Sequence, residues 1–215
     1  MTDQMSIAAR QRCQLLCIAV AWFALGPAFS QALSADALVT ELRSGGYVIV
    51  MRHASSPRTP PAAGLANADN SQLERQLDEA GRASARAMGD ALRGLRIPVG
   101  EVLSSPTYRA RETIRLAKLG EPVTHVELGD SGQSMAPESD GKRGAWLRTR
   151  TAQPPPPGSN TVVVTHYPNM TEAFPAATQG LADGDALVFR PDGHGGASLV
   201  ARVKIEEWKT MSSAP

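Results

Sequence analysis

The sequence has little cysteine and no excess of charge of one sign. Both cysteines, Cys13 and Cys17, lie near the amino terminus, so the rest of the chain has no disulfide, thiol nucleophile or cysteine metal site. Removing residues 1–30 takes away two of the 22 basic residues and one of the 21 acidic residues, which leaves 20 of each. Because no basic tract stands out either, nucleic acid is an unsuitable partner.

The apolar stretch from Leu15 to about Leu25 is too short for a typical membrane-spanning helix. Two arginines precede it, and Ala28-Phe29-Ser30 follows as a small-x-small cleavage signal. We therefore expect residues 1–30 to be a secretory signal peptide, with an uncleaved anchor as the alternative. Residues 31–215 would then form one domain, periplasmic in a bacterium or secreted.

Two short β-branched runs each end on a histidine. Residues 47–51 run into Arg52-His53, and residues 161–165 run into His166. Such runs are typical of strands buried on both faces, as in a parallel α/β sheet. Ligands bind beyond the carboxyl ends of such strands. A single histidine there is more often a packing or capping residue, but two at equivalent positions favour a site.

A third segment of the same kind strengthens this interpretation. Val99 to Leu103 is predicted to be a strand, and Ser105 and Pro106 are predicted to be the N-cap and first position of a helix that runs to about Leu119. Arg109 would lie in the first turn of that helix. It would therefore lie close to the end of its strand.

Strand-like and helix-like segments alternate along the chain, which predicts an α/β layer fold. Residues 54–76 have no regular pattern. The remaining predictions are a helix capped by Asp78, a short strand over Pro122–Glu127, a weak helix over Lys142–Arg150, a short helix from Pro168 to Pro175, and a hairpin of Asp185–Arg190 with Ser198–Lys204.

The residue types at the three strand ends suit phosphoryl transfer. The planar fork of arginine matches phosphate oxygens, and a neutral imidazole can attack phosphorus and carry the phosphoryl group covalently. An arginine directly before a histidine can hold the group while that histidine attacks it. Arg52, Arg109 and His166 would surround it, and the start of the helix after Ser105 would add free N–H groups.

These three segments together resemble the histidine phosphatase superfamily, whose fold is called phosphoglycerate-mutase-like. The resemblance is carried by Val48–Ala54, by Ser104-Ser105-Pro106 with Arg109-Ala110 and Glu112-Thr113, and by Val162–His166. It spans about residues 40–205 and the segments occur in the family's order. It implies a three-layer α/β sandwich with a mostly parallel central sheet. The carboxy-terminal part looks like exported bacterial members.

The resemblance also implies roles for individual residues. His53 would be the phosphorylated nucleophile, and Arg52, Arg109 and His166 would bind the phosphoryl group. The family often has Arg-His-Gly-Glu where this chain has Arg52-His53-Ala54-Ser55, and one branch has aspartate where this chain has Tyr167. The general acid is therefore open among six carboxylates, which are Asp69, Glu127, Asp130, Glu138, Asp140 and Glu172.

We accordingly expect a phosphomonoester hydrolase that needs neither metal nor cofactor and acts on a small phosphorylated substrate. One alternative is a non-catalytic module of the same fold that binds a phosphorylated ligand. Another is a phosphatase for sugar phosphates of the lipopolysaccharide core, because the chain is predicted to be exported.

Overall fold

The computed structural model describes residues 33–58, 74–130 and 141–212. These residues form six α-helices and six β-strands. The helices are α1 (Ala35–Ser44), α2 (Glu79–Gly94), α3 (Tyr108–Ala117), α4 (Lys142–Thr151), α5 (Tyr167–Ala173) and α6 (Glu207–Ser212). The strands are β1 (Val48–Arg52), β2 (Val99–Ser104), β3 (Val123–Thr124), β4 (Asn160–Thr165), β5 (Ala186–Pro191) and β6 (Ala197–Val203).

The six strands form one sheet in the order β3-β2-β4-β1-β5-β6. Strands β1 to β4 pair in parallel, whereas β5 pairs antiparallel with both β1 and β6. The prediction of a mostly parallel central sheet, with a hairpin at the carboxy-terminal end of the domain, is confirmed. The two strands that are directly followed by histidines, β1 and β4, are neighbours in the sheet.

Helices cover both faces of the sheet, which makes the predicted three-layer sandwich. Ile49 and Met51 of β1 pack with α1, α2, α3 and α6 on one face, and Val48 and Val50 pack with α4 and α5 on the other. Because successive side chains of a strand point to opposite faces, a strand buried on both faces reads as a continuous apolar run. The continuous apolar run in β1 is therefore explained by burial of this strand on both faces.

Three local predictions were wrong or incomplete. Helix α3 begins at Tyr108 and not after Ser105, because the Ser105 hydroxyl accepts a bond from the Thr107 N–H and turns the chain first. The predicted strand over Pro122–Glu127 is a two-residue β3 followed by a 3-10 turn. Helices α1 and α6 were not predicted.

The predicted signal segment, residues 1–30, lies outside the described residues. Within the ranges that the structure describes, every helix is too short or too polar to cross a lipid bilayer.

Candidate active site

The carboxyl ends of β1, β4 and β2 lie side by side. Arg52 of β1 is in register with Thr165 of β4, and Ser104 of β2 is in register with Val164 of β4. The backbone pairing continues one residue beyond β1, where the His53 N–H donates to the Thr165 carbonyl at 3.0 Å. Parallel pairing thus brings the ends of three segments that are distant in sequence to one edge of the sheet.

The ring of His53 is held in one tautomer. Its Nδ1 lies 2.8 Å from the carbonyl oxygen of Ala54, and since a carbonyl only accepts, Nδ1 carries the proton. Nε2 therefore has a lone pair, which accepts from Nε of Arg109 at 3.2 Å. The side chain is 1% exposed. His53 thus presents an unprotonated nitrogen to a guanidinium group.

Ala54 fits the position where the family often has glycine. Its backbone φ is not positive, so no glycine-specific conformation is required. The Ala54 N–H donates to Thr113 Oγ1 at 3.1 Å, and that hydroxyl donates to the carbonyl of Arg109. Thr113 therefore ties the segment after β1 to the helix that carries Arg109.

Arg109 is the centre of the site. It is 1% exposed, and its Nη2 lies 2.9 Å from Asp130 Oδ2 and 3.1 Å from His166 Nδ1. Its Nε meets His53, so one planar side chain contacts both histidines and a carboxylate. Such a fork fixes the relative positions of the two rings, whose centroids lie 5.1 Å apart.

His166 has the opposite tautomer. Since Nδ1 accepts from Arg109, the proton is on Nε2, which donates to Ser105 Oγ at 2.9 Å and lies 3.3 Å from Thr107 Oγ1. Ser105, which was predicted to cap α3, therefore orients His166 instead. Both rings thus accept from Arg109 through one nitrogen, which is Nε2 in His53 and Nδ1 in His166, and carry the proton on the other nitrogen.

Arg52 is held at the edge of the site by Asp183. The two side chains form an ion pair of 2.5 Å, and both are largely buried. The Arg52 guanidinium also lies over the ring of Tyr167, 5.5 Å from its centroid. Tyr167, which occupies the position of an aspartate in one branch of the family, here supports the first arginine.

Burial is the main cause that lowers the pKa of both histidines well below 6.5. The positive charge of Arg109 is the second cause for each ring. Both imidazoles are therefore neutral at neutral pH, in agreement with the tautomers assigned from their hydrogen bonds. A neutral His53 is in the protonation state that a nucleophile requires.

The structure separates the carboxylates that could supply a proton. Asp130 is buried and bonded to Arg109. Glu172 is exposed and accepts from the Gly144 N–H of α4. Glu127 lies half-buried in the 3-10 turn. Asp69, Glu138 and Asp140 lie outside the described residues.

Two residues that contact the site were not predicted. The Arg75 Nη2 lies 3.3 Å from His53 Nε2, and the Glu74 carboxylate accepts from the Tyr108 N–H at the start of α3. Both belong to the stretch 54–76, which has no periodic pattern. Only their contacts with His53 and Tyr108, which are distant in sequence, identify these two residues as part of the site. Glu74 thereby occupies the Tyr108 N–H, although the N–H groups at the start of this helix were predicted to be free for a phosphoryl group.

Among the described residues, no three side chains of the types that ligate metals come together. The charged groups of the site are instead arginines and the aspartates paired with them.

Residues 48–130 match the family model of the histidine phosphatase superfamily (branch 1). This range includes the first histidine, Arg109 and Asp130. No curated protein sequence matches the chain.

Solved structures with the same fold have low sequence identity. The structure of the protein histidine phosphatase SixA in complex with tungstate is 18% identical, has a TM-score of 0.52, and aligns over 75% of this chain and 98% of its own. A protein from Agrobacterium tumefaciens assigned as a phosphohistidine phosphatase SixA is 18% identical, with a TM-score of 0.51 and coverage of 74% and 97%. A phosphoserine phosphatase variant from Entamoeba histolytica, in complex with phosphoserine, is 13% identical, with a TM-score of 0.50 and coverage of 74% and 98%. These likenesses establish the fold.

Proposed function

We propose that this chain, a member of the histidine phosphatase superfamily, hydrolyses phosphomonoesters through a phosphoryl intermediate on His53. The observation that carries the proposal is the state of His53. Its Nδ1–H is bonded to Ala54, and its Nε2 lone pair lies toward Arg109. A buried neutral imidazole fixed in this way needs no further deprotonation before it attacks phosphorus.

The first step forms a bond between His53 Nε2 and phosphorus and breaks the bond from phosphorus to the leaving oxygen. Arg109, Arg52 and the N–H of His166 would donate to the phosphoryl oxygens, whose charge they offset. The guanidinium groups, and the His166 N–H that now binds Ser105, must turn from their present partners toward those oxygens. Arg109 is already within 3.2 Å of the attacking nitrogen, so it needs only a small displacement.

The second step returns the enzyme to its starting state. Water attacks the phosphoryl group, the nitrogen–phosphorus bond breaks, and inorganic phosphate leaves with His53 again neutral. Because arginines supply the positive charge in this scheme, we propose that no metal ion takes part.

The leaving oxygen needs a proton when its conjugate acid is weak. Asp130 is the one described candidate that contacts the site, but its carboxylate binds Arg109. We therefore propose that Asp130 positions Arg109. The preferred substrates would then be those whose leaving group departs without protonation, such as aryl or acyl phosphates.

A labelling experiment tests the intermediate. Incubation with a radiolabelled aryl phosphate in the presence of EDTA should give an acid-labile, alkali-stable protein adduct, and His53→Ala should lose both adduct and turnover. His194→Ala is the matched control, since His194 lies in the turn between β5 and β6. Equal hydrolysis by wild type and His53→Ala contradicts the proposal. Phosphate binding without turnover in the wild type favours the non-catalytic module instead.

We also propose that the chain is exported, on the basis of the apolar segment and cleavage signal in residues 1–30. Amino-terminal sequencing of the protein purified from the periplasm should find Gln31 as the first residue. Retention of residues 1–30 in the membrane fraction would favour the uncleaved anchor.

A further inference from the structure

We propose that Arg75 is a further ligand of the phosphoryl group, and that Glu74 positions it. This inference rests on the proposed function, because it assigns to Arg75 a place around the same phosphorus. The Arg75 Nη2 lies 3.3 Å from His53 Nε2, and Nε of Arg109 lies 3.2 Å from the same atom.

Because Arg75 and Arg109 both contact Nε2 of His53, both guanidinium groups lie next to the nitrogen that would attack phosphorus. The single lone pair of Nε2 points along one direction, and that direction is where phosphorus must lie for attack. Two N–H donors near that lone pair therefore lie around the position that the phosphoryl group would take. When it enters, its non-bridging oxygens can accept the N–H groups that now approach Nε2.

Arg75 does not need a flexible loop to reach this position. Glu74 before it is bonded to the Tyr108 N–H of α3. Asp78 after it donates its N–H to the carbonyl of Ser55 at 3.1 Å and accepts from the Ser55 hydroxyl at 2.6 Å. Leu77 is 2% exposed and belongs to the core. The segment 74–78 is thus fixed at both ends to residues that neighbour Arg109 and His53.

The charge of Arg75 persists at the pH where the reaction would run. Burial, followed by the nearby charge of Arg109, lowers the pKa of Arg75 to about 10. The guanidinium is therefore still protonated at neutral pH. Its partial desolvation also strengthens any bond that it forms with an anion.

The Glu74 carboxylate occupies a backbone N–H at the start of α3 that a bound anion could otherwise use. A helix amino terminus can bind an anion through its free N–H groups, but here the Tyr108 N–H already has a carboxylate partner. The backbone donor is used to anchor the segment, and the neighbouring side chain would supply the donor to phosphate. This arrangement gives Glu74 a positioning role and Arg75 a catalytic one.

The test measures anion binding as well as turnover. Calorimetry with orthovanadate should show that Arg75→Met raises Kd at least about tenfold, and kcat/KM for an aryl phosphate should fall on the order of 100-fold. Arg75→Lys should recover part of the loss, because it restores the charge without the planar fork. Arg86→Met, which removes one exposed charge from α2, should change neither value by more than about twofold.

Variants of Glu74 test the positioning role. Glu74→Gln keeps an oxygen that can accept from the Tyr108 N–H, so it should retain most of the activity. Glu74→Ala removes the acceptor and should lower kcat and, because Arg75 is displaced, also raise the vanadate Kd, though by less than Arg75→Met does. Equal kcat for Glu74→Ala and wild type overturns this part of the proposal.

The outcomes separate this inference from the proposed function. Unchanged vanadate affinity in Arg75→Met overturns the inference, and the phosphatase proposal then stands on His53 alone. Weaker vanadate binding in Arg75→Met, combined with no turnover by the wild type, supports the ligand role and overturns the hydrolase. Absence of vanadate and phosphate binding by the wild type overturns both.

Discussion

At the scale of single residues, hydrogen bonds determine which nitrogen of each histidine can react. The Ala54 carbonyl accepts from Nδ1 of His53 and so keeps the proton there, whereas Arg109 donates to Nδ1 of His166 and so leaves the proton of that ring on Nε2. Two histidines at equivalent strand ends therefore have different chemistry. The residue pattern alone predicts that they lie together, but it does not contain the tautomers, since these depend on partners from other segments.

The contact between Ser105 and His166 gives a prediction about orientation. Ser105→Ala removes the oxygen that accepts from His166 Nε2 at 2.9 Å, so the ring should lose its fixed tautomer and kcat/KM should fall on the order of tenfold. Ser104→Ala is the control, because the Ser104 hydroxyl bonds to the Ser105 carbonyl and not to the ring. Steady-state kinetics that give equal losses for the two variants would contradict this role.

Asp130 allows a prediction about the leaving group. Since its carboxylate holds Arg109, Asp130→Asn should lower kcat/KM by a similar factor for an aryl phosphate and for an alkyl phosphate. If Asp130 were the general acid, the alkyl phosphate, with its poorer leaving group, would lose far more. The ratio of the two losses, measured in one assay series, distinguishes the roles.

At the scale of elements, the packing of α2 on α3 supports the site, because α3 carries Arg109. Gly89 of α2 lies against the backbone of α3, and an added Cβ would lie 1.9 Å from the Ala117 carbonyl oxygen. Close contact between two backbones explains why a helix interior here contains a glycine.

Gly89→Ala should therefore lower the free energy of unfolding by about 1–3 kcal/mol, since the backbone of α3 must move. Gly94→Ala, at the end of the same helix with no atom near the added Cβ, should leave stability unchanged or raise it by up to about 1 kcal/mol. Urea unfolding of both variants measures the difference. A loss at position 94 as large as at position 89 would contradict the packing argument.

The sequence predicts some of these elements and not others, for physical reasons. Continuous apolar runs predicted β1 and β4 because burial on both faces leaves no polar positions. Helix α1 has a serine cap and apolar residues at helical spacing, but it directly follows the predicted signal segment and was not separated from it. The start of α3 was placed too early, because the contacts of Ser105 with Thr107 and His166 compete with its role as a cap. No local pattern predicts Arg75, because its position depends on the contact between Glu74 and Tyr108, which are 34 residues apart.

At the scale of the whole molecule, the two buried histidines make stability depend on pH. In the unfolded chain a histidine takes up a proton near pH 6.5, whereas the lowered pKa of His53 and His166 delays this uptake in the folded protein. Between these two values the unfolded state binds more protons. The free energy of unfolding should therefore fall as the pH is lowered below 6.5, by up to about 1.4 kcal/mol per pH unit for each histidine.

Histidine variants distinguish the effect of His53 and His166 on the pH dependence of stability from the effect of the carboxylates. A double variant with His53→Asn and His166→Asn should show a shallower decrease in stability between pH 7 and pH 5 than wild type, and His194→Asn should match wild type. The measurement is urea unfolding at several pH values. Parallel curves for wild type and the double variant would contradict the pKa directions.

The short loop before β5 supplies contacts that hold the segment of the first histidine. The Gly184 N–H donates to the His53 carbonyl, the Arg52 N–H donates to the Asp185 carbonyl, and Asp183 holds the Arg52 side chain. A truncated chain that ends between His166 and Asp183 would contain both histidines and Arg109, but its Arg52-His53 segment would lack these partners. We therefore expect any chain that ends before Asp183 to lack the proposed activity, so the chemistry of the amino-terminal half of the sheet depends on a late segment of the polypeptide.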